Sequence, residues 1–185
     1  QLIWCDRFRP KIGVLLNLGN NHLDRHLSLE AYHLAKGRLF QSQESEDWAV
    51  LNGEDEQVVS LSKFIQSQRL WFGENKDNPR NFILAESTLK ALSPSEQAAL
   101  QAARLLDVQD PLSWQVKRAF YGLEHRLESL HTIRGIHFIN DSKSTTPDSI
   151  LFAMEQVPGD IVLIVGGMDK GLAFEDVANV LSEKH

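Results

Sequence analysis

The sequence predicts an α/β fold, with parallel-sheet βαβ units in two modules. Short continuous apolar runs are typical of strands covered on both faces, and two pairs of such runs enclose a helical pattern. A strand, a crossover helix and a second strand in this order favour parallel pairing. The first unit comprises residues 12–17, 29–43 and 48–52, and the second comprises residues 136–139, 148–157 and 161–165.

The remaining elements follow from local signals. Ser28 suits the N-cap of the first helix, and Pro147 suits the first turn of the helix at 148–157. Residues 70–73 suggest a further strand, residues 95–106 and 112–120 suggest two helices, and an amphipathic helix follows Gly171. A second βαβ pattern begins after about residue 130, and this predicts two domains, residues 1–128 and 129–185.

Composition excludes several classes of protein. The chain has 185 residues and a formal net charge of −6, which argues against a general nucleic-acid binder. No apolar run reaches the roughly 18–20 residues of a membrane span. The single cysteine, Cys5, excludes an internal disulfide framework. We expect a cytoplasmic monomer without nucleic-acid or membrane partners.

Both ends of the sequence suggest a piece of a longer protein. The chain begins with Gln1 rather than methionine, and it ends at His185 directly after an amphipathic pattern. A helix of that kind normally leads into another strand of an α/β sheet.

The most informative polar stretch is residues 140–147, between a predicted strand and a predicted helix. A strand-to-helix turn presents free backbone N–H groups and the positive end of a helix dipole to an anion. Lys143 adds a full charge, and Ser142 and Thr145 add hydroxyl donors. This turn is suited to binding a carboxylate or a phosphate.

Lys36 lies on the apolar face of the first predicted helix. Tyr32 is four residues before it, and Phe40 is four residues after it, so the three share one face. Burying a free ammonium is costly and tends to neutralise it. The alternative is a side chain that extends along its methylene stem to water, and periodicity alone favours that alternative.

Two loops carry further candidate ligands. His22, Asp24 and His26 follow the first strand, where ligands of open α/β sheets gather, and they fit either an oxygen-rich Mg²⁺ site or a solvated loop. His125 and Arg126 lie in a loop near the predicted boundary. Arg126 is suited to phosphate oxygens, or to a surface ion pair with a neighbouring glutamate.

These clusters, in this order, resemble the Mur ligases, and among them the ligases that add D-glutamate. Residues 20–26 resemble the family's metal-histidine loop, and residues 35–38 resemble its lysine segment. Residues 122–128 resemble the end of its central ATPase domain. Residues 140–145, Asn-Asp-Ser-Lys-Ser-Thr, resemble the amino-acid site that opens its Rossmann-like C-terminal domain.

The resemblance implies a role for each matching residue. His22 and a carbamylated Lys36 would bind Mg²⁺, and a carbamate removes the difficulty of an inward ammonium. His125 would lie near the adenine of ATP, with Arg126 on the terminal phosphate. The remaining roles fall on the turn: Asp141 and Lys143 would contact the nucleotide, and Lys143 and Thr145, beside Ser142, would hold D-glutamate.

The implied reaction is amide-bond formation through an acyl phosphate. The carboxylate of UDP-N-acetylmuramoyl-L-alanine would attack the γ-phosphoryl group of ATP, and the amine of D-glutamate would then displace phosphate. Lys36, Arg126 and Lys143 would be the catalytic cations or ligands. ATP and Mg²⁺ are the implied cofactors.

The sequence also departs from the family pattern. It contains no Gly-rich Lys-Ser/Thr phosphate loop, so the isolated chain is expected not to turn over. Ile3 stands where the family has Glu, Thr146 where it usually has Asn, and Glu96 at an adenine-facing asparagine. Two alternatives therefore stay open: another Mur-type or folylpolyglutamate-type ligase, and a non-catalytic binding remnant.

Overall fold

The computed structural model describes residues 2–19, 28–73, 92–168 and 171–183. The chain divides into two compact units, Gln1–Arg118 and Ala119–His185. This division lies before the boundary predicted at residue 128, and the assignment of the two stretches to domains stays a prediction. None of the helices in the described ranges has both the length and the apolar character needed to cross a bilayer.

A parallel three-stranded sheet forms the centre of the first unit. Its strands lie in the order β1 (Ile12–Leu15), β2 (Trp48–Asn52) and β3 (Gln68–Phe72). The register aligns Val14 with Val50, and Val50 with Leu70. The predicted α/β class and the parallel pairing of the first module are confirmed.

Two helices of the first unit connect these strands. They are α1 (Leu29–Gly37), which continues as a 3₁₀ turn (Arg38–Phe40), and α2 (Glu56–Ser62). Ser28 caps α1 as predicted, because its hydroxyl accepts from the Ala31 N–H at 3.1 Å. The sequence pattern did not predict α2, which is short and is capped by Asp55.

The sheet is buried on both faces because the side chains of β2 alternate between two clusters. Val50 packs with Leu70, Phe72 and Ala98 on one face. On the other face the cluster is Leu15, Leu18, Phe40, Ala49, Leu51, Val58, Ile65 and Trp71. A strand that is apolar on both faces is what a continuous apolar run predicts.

The predicted helices after the sheet are α3 (Pro94–Leu105) and α4 (Asp110–Ala119). Glu96, at the position expected to face adenine, completes the capping box of α3. Its carboxylate accepts from the Ser93 N–H at 2.8 Å and lies 3.1 Å from the Lys117 ammonium. The structure therefore gives Glu96 a helix-capping role.

The second unit begins with a hairpin, β4 (Glu128–Ile133) and β5 (Ile136–Asn140), followed by α5 (Pro147–Gln156) and α6 (Glu175–Glu183). α5 and α6 pack together, and Met154 and Val177 are their buried residues among those described. Pro147 occupies the first turn of α5, as predicted, and Thr146 is its N-cap.

The prediction of a second parallel βαβ unit is wrong in its strands. β5 pairs antiparallel with β4, which the sequence did not predict. The cause is the two-residue turn between them, where Arg134 and Gly135 have φ of 52° and 82°. Two successive positive φ values are typical of the turn that closes a hairpin. Residues 161–165 form no strand, and Val162 and Ile164 are each 91% exposed.

A buried carboxylate connects the start of β2 to the chain before β1. The Asp47 side chain is fully buried. Its Oδ2 accepts from the Arg9 Nε–H at 2.6 Å and from the Glu44 N–H at 2.8 Å. The Lys11 ammonium lies 3.2 Å from its Oδ1. These donors, the Arg9 guanidinium first, hold the pKa of Asp47 well below its ordinary value of 3.8.

We expect Asp47→Asn to lower the Tm of the full-length protein by about 5–10 °C at pH 7, because it leaves buried donors without a charged acceptor. Because the pKa of Asp47 is lower in the folded protein, its ionised carboxylate stabilises the fold at pH values above the pKa of the unfolded state. This stabilisation is lost as the pH falls through the pKa of the folded state. The Tm difference should therefore shrink below about pH 5. Thermal unfolding across pH measures it.

The matched control is Glu46→Gln, because Glu46 contacts the same Arg9 at 2.7 Å but is 57% exposed. An exposed ion pair contributes little, so its Tm should change by less than about 2 °C. Equal losses from the two variants would contradict the assignment of Asp47 as the anchoring carboxylate.

Candidate functional site

The polar turn between β5 and α5 presents most of its side chains to solvent. Ser142, Lys143 and Thr145 are exposed, and Asp141 is half-buried. The turn lies at the N-terminus of α5, so the positive end of the helix dipole is close to these side chains. An anion at this turn would therefore meet an ammonium and two hydroxyl groups.

The backbone of this turn does not offer the free N–H groups that the sequence predicted. The amides of residues 142, 143, 144 and 146 donate, in that order, to Asn140 Oδ1, the His125 carbonyl, the Asp141 carbonyl and Ser149 Oγ, at 3.1, 3.1, 2.9 and 3.2 Å. The prediction is wrong for these four groups because two side chains, the carbonyl of His125 in a neighbouring loop and the turn's own Asp141 carbonyl satisfy them. An anion at this turn would therefore have to be bound mainly by side chains.

The His125–Arg126 loop lies beside the turn within the second unit. The Lys143 N–H donates to the His125 carbonyl at 3.1 Å, and the Leu127 N–H donates to Asp141 Oδ1 at 3.1 Å. Asp141 Oδ2 accepts from the Ser144 hydroxyl. Two clusters that the sequence placed in different modules are therefore joined by hydrogen bonds, and Asp141 helps to join them.

Two further residues, Asn140 and Glu128, complete this network. Glu128 Oε2 accepts from the His125 N–H at 2.8 Å and from Asn140 Nδ2 at 3.2 Å. Asn140 Nδ2 also lies 2.8 Å from His125 Nδ1. Both residues lie in motifs that resemble the family, but the sequence suggested Glu128 only as an alternative ion-pair partner of Arg126 and gave Asn140 no role of its own. A polar residue at the end of β5 was the available signal for Asn140, whereas Glu128 acts on a backbone amide, which no pattern reveals.

The loop around Arg126 has an uncommon backbone conformation. His125 and Leu127 have φ of 65° and 46°, in the left-handed region that non-glycine residues seldom adopt. Each such residue costs about 1–2 kcal/mol. The bonds from His125 to Glu128 and from Leu127 to Asp141 hold the loop in this form. The backbone of Arg126 is thus fixed before any ligand binds.

Arg126 and Lys143 supply the positive charge of this site. Both side chains are exposed, and neither makes an ion pair with any residue in the described part of the chain. Arg126 is adjacent to His125, and the Lys143 amide is bonded to His125, so the backbones that carry the two cations are connected. Two cations on a pre-set backbone suit an anionic ligand.

Lys36 lies in the first unit and is half-buried on α1. Its ammonium lies 5.5 Å from the centroid of the buried Tyr32 ring. The side chain is thus neither fully inward nor free in water, and its carbamylation stays a prediction.

The predicted metal ligand His22, with Asp24 and His26, lies outside the described residues. Within the described ranges, no group of three or more His, Cys, Asp or Glu side chains could hold a metal ion.

Comparison with known proteins identifies the family. The model of the Mur ligase middle domain matches residues 3–104, which is more than half of the chain. The chain belongs to the Mur ligase family. The family assignment made from the sequence is therefore confirmed.

Curated members of the Mur ligase family resemble the chain throughout. It is 34% identical to a UDP-N-acetylmuramoylalanine–D-glutamate ligase of Desulfosudis oleivorans, over 100% of the chain and 45% of that protein. It is 35% identical to the ligase of the same name from Solibacter usitatus, over 100% of the chain and 46% of that protein. The chain thus spans about half the length of these relatives.

Solved structures show the same fold. MurF from Acinetobacter baumannii matches with a TM-score of 0.65 at 17% identity, over 82% of the chain and 38% of that structure. At this identity the match concerns the fold and not the substrate.

Proposed function

We propose that the protein containing this chain is an ATP-dependent Mur ligase that joins D-glutamate to UDP-N-acetylmuramoyl-L-alanine through an acyl phosphate. The observation that carries the proposal is the hydrogen-bonded pair of cation-bearing segments, the Arg126 loop and the Lys143 turn. The names of the relatives at 34% and 35% identity support the choice of substrate.

The chemistry of the first step requires positive charge around a phosphoryl group. The muramoyl-peptide carboxylate attacks the γ-phosphorus of ATP, the bond to the bridging oxygen breaks, and ADP leaves. Negative charge spreads over the phosphoryl oxygens during this step. Arg126 is the proposed contact, because a guanidinium can donate two parallel hydrogen bonds to phosphoryl oxygens. His125 and Asp141 are proposed to contact the nucleotide beside it.

The second step brings in the amino acid. The amine of D-glutamate attacks the acyl carbon, the bond to the phosphate oxygen breaks, and the nitrogen releases a proton as the amide forms. D-Glutamate carries two carboxylates, and the exposed ammonium of Lys143 and hydroxyl of Thr145 are proposed to hold them, with Ser142 beside them. A fixed backbone positions these groups before the substrate arrives, which lowers the cost of ordering.

Mg²⁺ belongs to the proposal through Lys36 and through His22, which lies outside the described residues. A carbamylated Lys36 would offer a hard oxygen ligand of the kind Mg²⁺ prefers, and His22 is proposed as a second ligand. Mg²⁺ bound there would neutralise charge on the phosphates of ATP.

Substrate choice is tested with the full-length protein by phosphate release from ATP and UDP-N-acetylmuramoyl-L-alanine. We expect release that requires D-glutamate and that is not supported by L-lysine or meso-diaminopimelate. The reason is that a Lys and a Thr at the proposed site match a second carboxylate rather than a second amine.

The matched amino-acid control is D-glutamine, which replaces one carboxylate of D-glutamate with an amide of the same shape. Its kcat/KM should be at least about tenfold lower, the size of one charge-assisted hydrogen bond. Equal use of D-glutamate and meso-diaminopimelate would contradict the proposed substrate. Absence of ATP turnover with all amino acids would favour a binding remnant instead.

A further inference from the structure

The orientation of the Asn140 amide is fixed by two contacts of opposite character. The Ser142 N–H donates to Asn140 at 3.1 Å, so the atom there is the oxygen. The Glu128 carboxylate, which can only accept, lies 3.2 Å from the other end of the amide, so the atom there is the nitrogen. The two contacts together leave one assignment of the amide.

This orientation decides the tautomer of His125. An amide nitrogen donates but does not accept, and Asn140 Nδ2 lies 2.8 Å from His125 Nδ1. The Glu128 carboxylate is the other neighbour of Nδ1, but it lies farther away, at 3.4 Å, and its Oε2 already accepts from the His125 N–H and from the Asn140 amide. The nearer contact therefore makes Nδ1 the acceptor from Asn140 and places the proton of the neutral ring on Nε2. The His125 side chain is 49% exposed, and Nε2 has no partner among the described residues. The ring thus offers one outward N–H donor.

The backbone that carries this ring is held by the same network. Glu128 accepts from the His125 N–H at 2.8 Å, which restrains the left-handed residue before Arg126. Loss of this acceptor would let His125 relax to an ordinary conformation and move both the ring and Arg126. Strained loop conformations of this kind persist when several contacts determine them together.

We propose that Asn140 and Glu128 are positioning residues for nucleotide binding. Asn140 holds His125 as the Nε2–H tautomer, and Glu128 holds the loop, so that His125 presents an N–H donor next to Arg126. Its partner is an acceptor atom of the nucleotide, either a ring nitrogen or an oxygen. The nucleotide part rests on the function proposed above, whereas the tautomer does not.

The tautomer is tested by ¹⁵N NMR of the full-length protein with labelled histidine, at about pH 8.5, above the range in which histidine titrates. His125→Gln identifies the resonances of His125. We expect protonated Nε2 and unprotonated Nδ1 in the native protein. In Asn140→Asp a carboxylate oxygen replaces the amide nitrogen, and the proton should move onto Nδ1.

The matched control is Ser129→Ala, because Ser129 Oγ contacts a different histidine, His137 Nε2, at 2.7 Å on the same hairpin. It should leave the His125 resonances unchanged. Protonated Nδ1 in the native protein would overturn the proposal, as would an Asn140→Asp spectrum in which His125 is unaltered. The NMR measurement of the tautomer needs no turnover, so its result is independent of the proposed reaction.

The loop is tested by the affinity for ATP. Glu128→Ala should raise the KM for ATP about tenfold and change kcat by less than about threefold, the effect of one lost hydrogen bond in binding. Glu128→Gln should restore KM to within about threefold, because its amide oxygen still accepts from the His125 N–H. If the protein does not turn over, the Kd of ATP gives the same comparison.

The charge-matched control is Glu124→Ala, an exposed carboxylate in the same loop. It should leave KM unchanged, since the network does not include it. A Glu128→Ala protein with the KM of Glu124→Ala would overturn the role of Glu128. A fall in kcat alone would do the same, because positioning of the nucleotide predicts a change in binding.

Discussion

Replacing Lys143 with methionine in the full-length protein is expected to lower kcat/KM for D-glutamate ligation about 1,000-fold. Methionine keeps the apolar stem and removes the charge, while the backbone bond from residue 143 to the His125 carbonyl can remain. The loss is large because the backbone N–H groups of residues 142, 143, 144 and 146 are already bonded and cannot replace the ammonium. Phosphate release at varied D-glutamate concentration measures it.

Two variants separate the ammonium from general electrostatics. Lys143→Arg keeps the charge but changes its shape, so an intermediate loss is expected. Arg134→Asn removes an exposed cation at the far end of β5, and asparagine tolerates the positive φ of 52° at that position. It should stay within about twofold of the native rate. A Lys143→Met protein within tenfold of native kcat/KM would contradict the proposed role.

The parts of the fold predicted from sequence are those with local causes. The bounds of β2 follow from an uninterrupted apolar run, and its burial on both faces follows from the same run. Ser28 and Pro147 mark helix starts through interactions within one turn of chain. Such signals can be recognised from the local sequence alone, without knowledge of the rest of the molecule.

The parts that sequence reasoning missed depend on pairing between segments. The apolar run at 136–139 is compatible with parallel or antiparallel neighbours, and the turn at Arg134 and Gly135 decides for a hairpin. The run at 161–165 has the composition of a strand but pairs with no strand in the described residues, so composition alone did not make it one.

The candidate site shows the same division. Its residue types could be predicted from the sequence, since the positive charge of Lys143 and Arg126 and the imidazole of His125 indicate an anion site. The proximity of the turn to the loop was not readable, because it rests on backbone groups and on the shared acceptor Glu128. Four of the turn's amides, which were predicted to be free, instead donate to Asn140 Oδ1, to Ser149 Oγ and to the carbonyls of His125 and Asp141.

Lys36→Arg is expected to lower kcat at least about 100-fold in the full-length protein. The proposed carbamate forms when the neutral amine of Lys36 attacks carbon dioxide and releases a proton. Arginine remains a cation under all conditions and does not form this carbamate. It does preserve the contact with the Tyr32 ring, which for lysine is 5.5 Å from the centroid. The variant therefore cannot be carbamylated but keeps the cationic contact of the unmodified lysine.

The Tyr32 contact is too weak to explain the activity loss expected for Lys36→Arg. The contact with Tyr32 contributes about 0.5–1 kcal/mol, too little to account for a 100-fold loss or to prevent carbamylation. Native activity should fall in carbon dioxide-free buffer and return with bicarbonate, and the Lys36→Arg protein should not respond. Lys63→Arg, at an exposed lysine after α2, is the control and should behave as native. Full activity of Lys36→Arg would show that residue 36 acts as a cation and not as a carbamate.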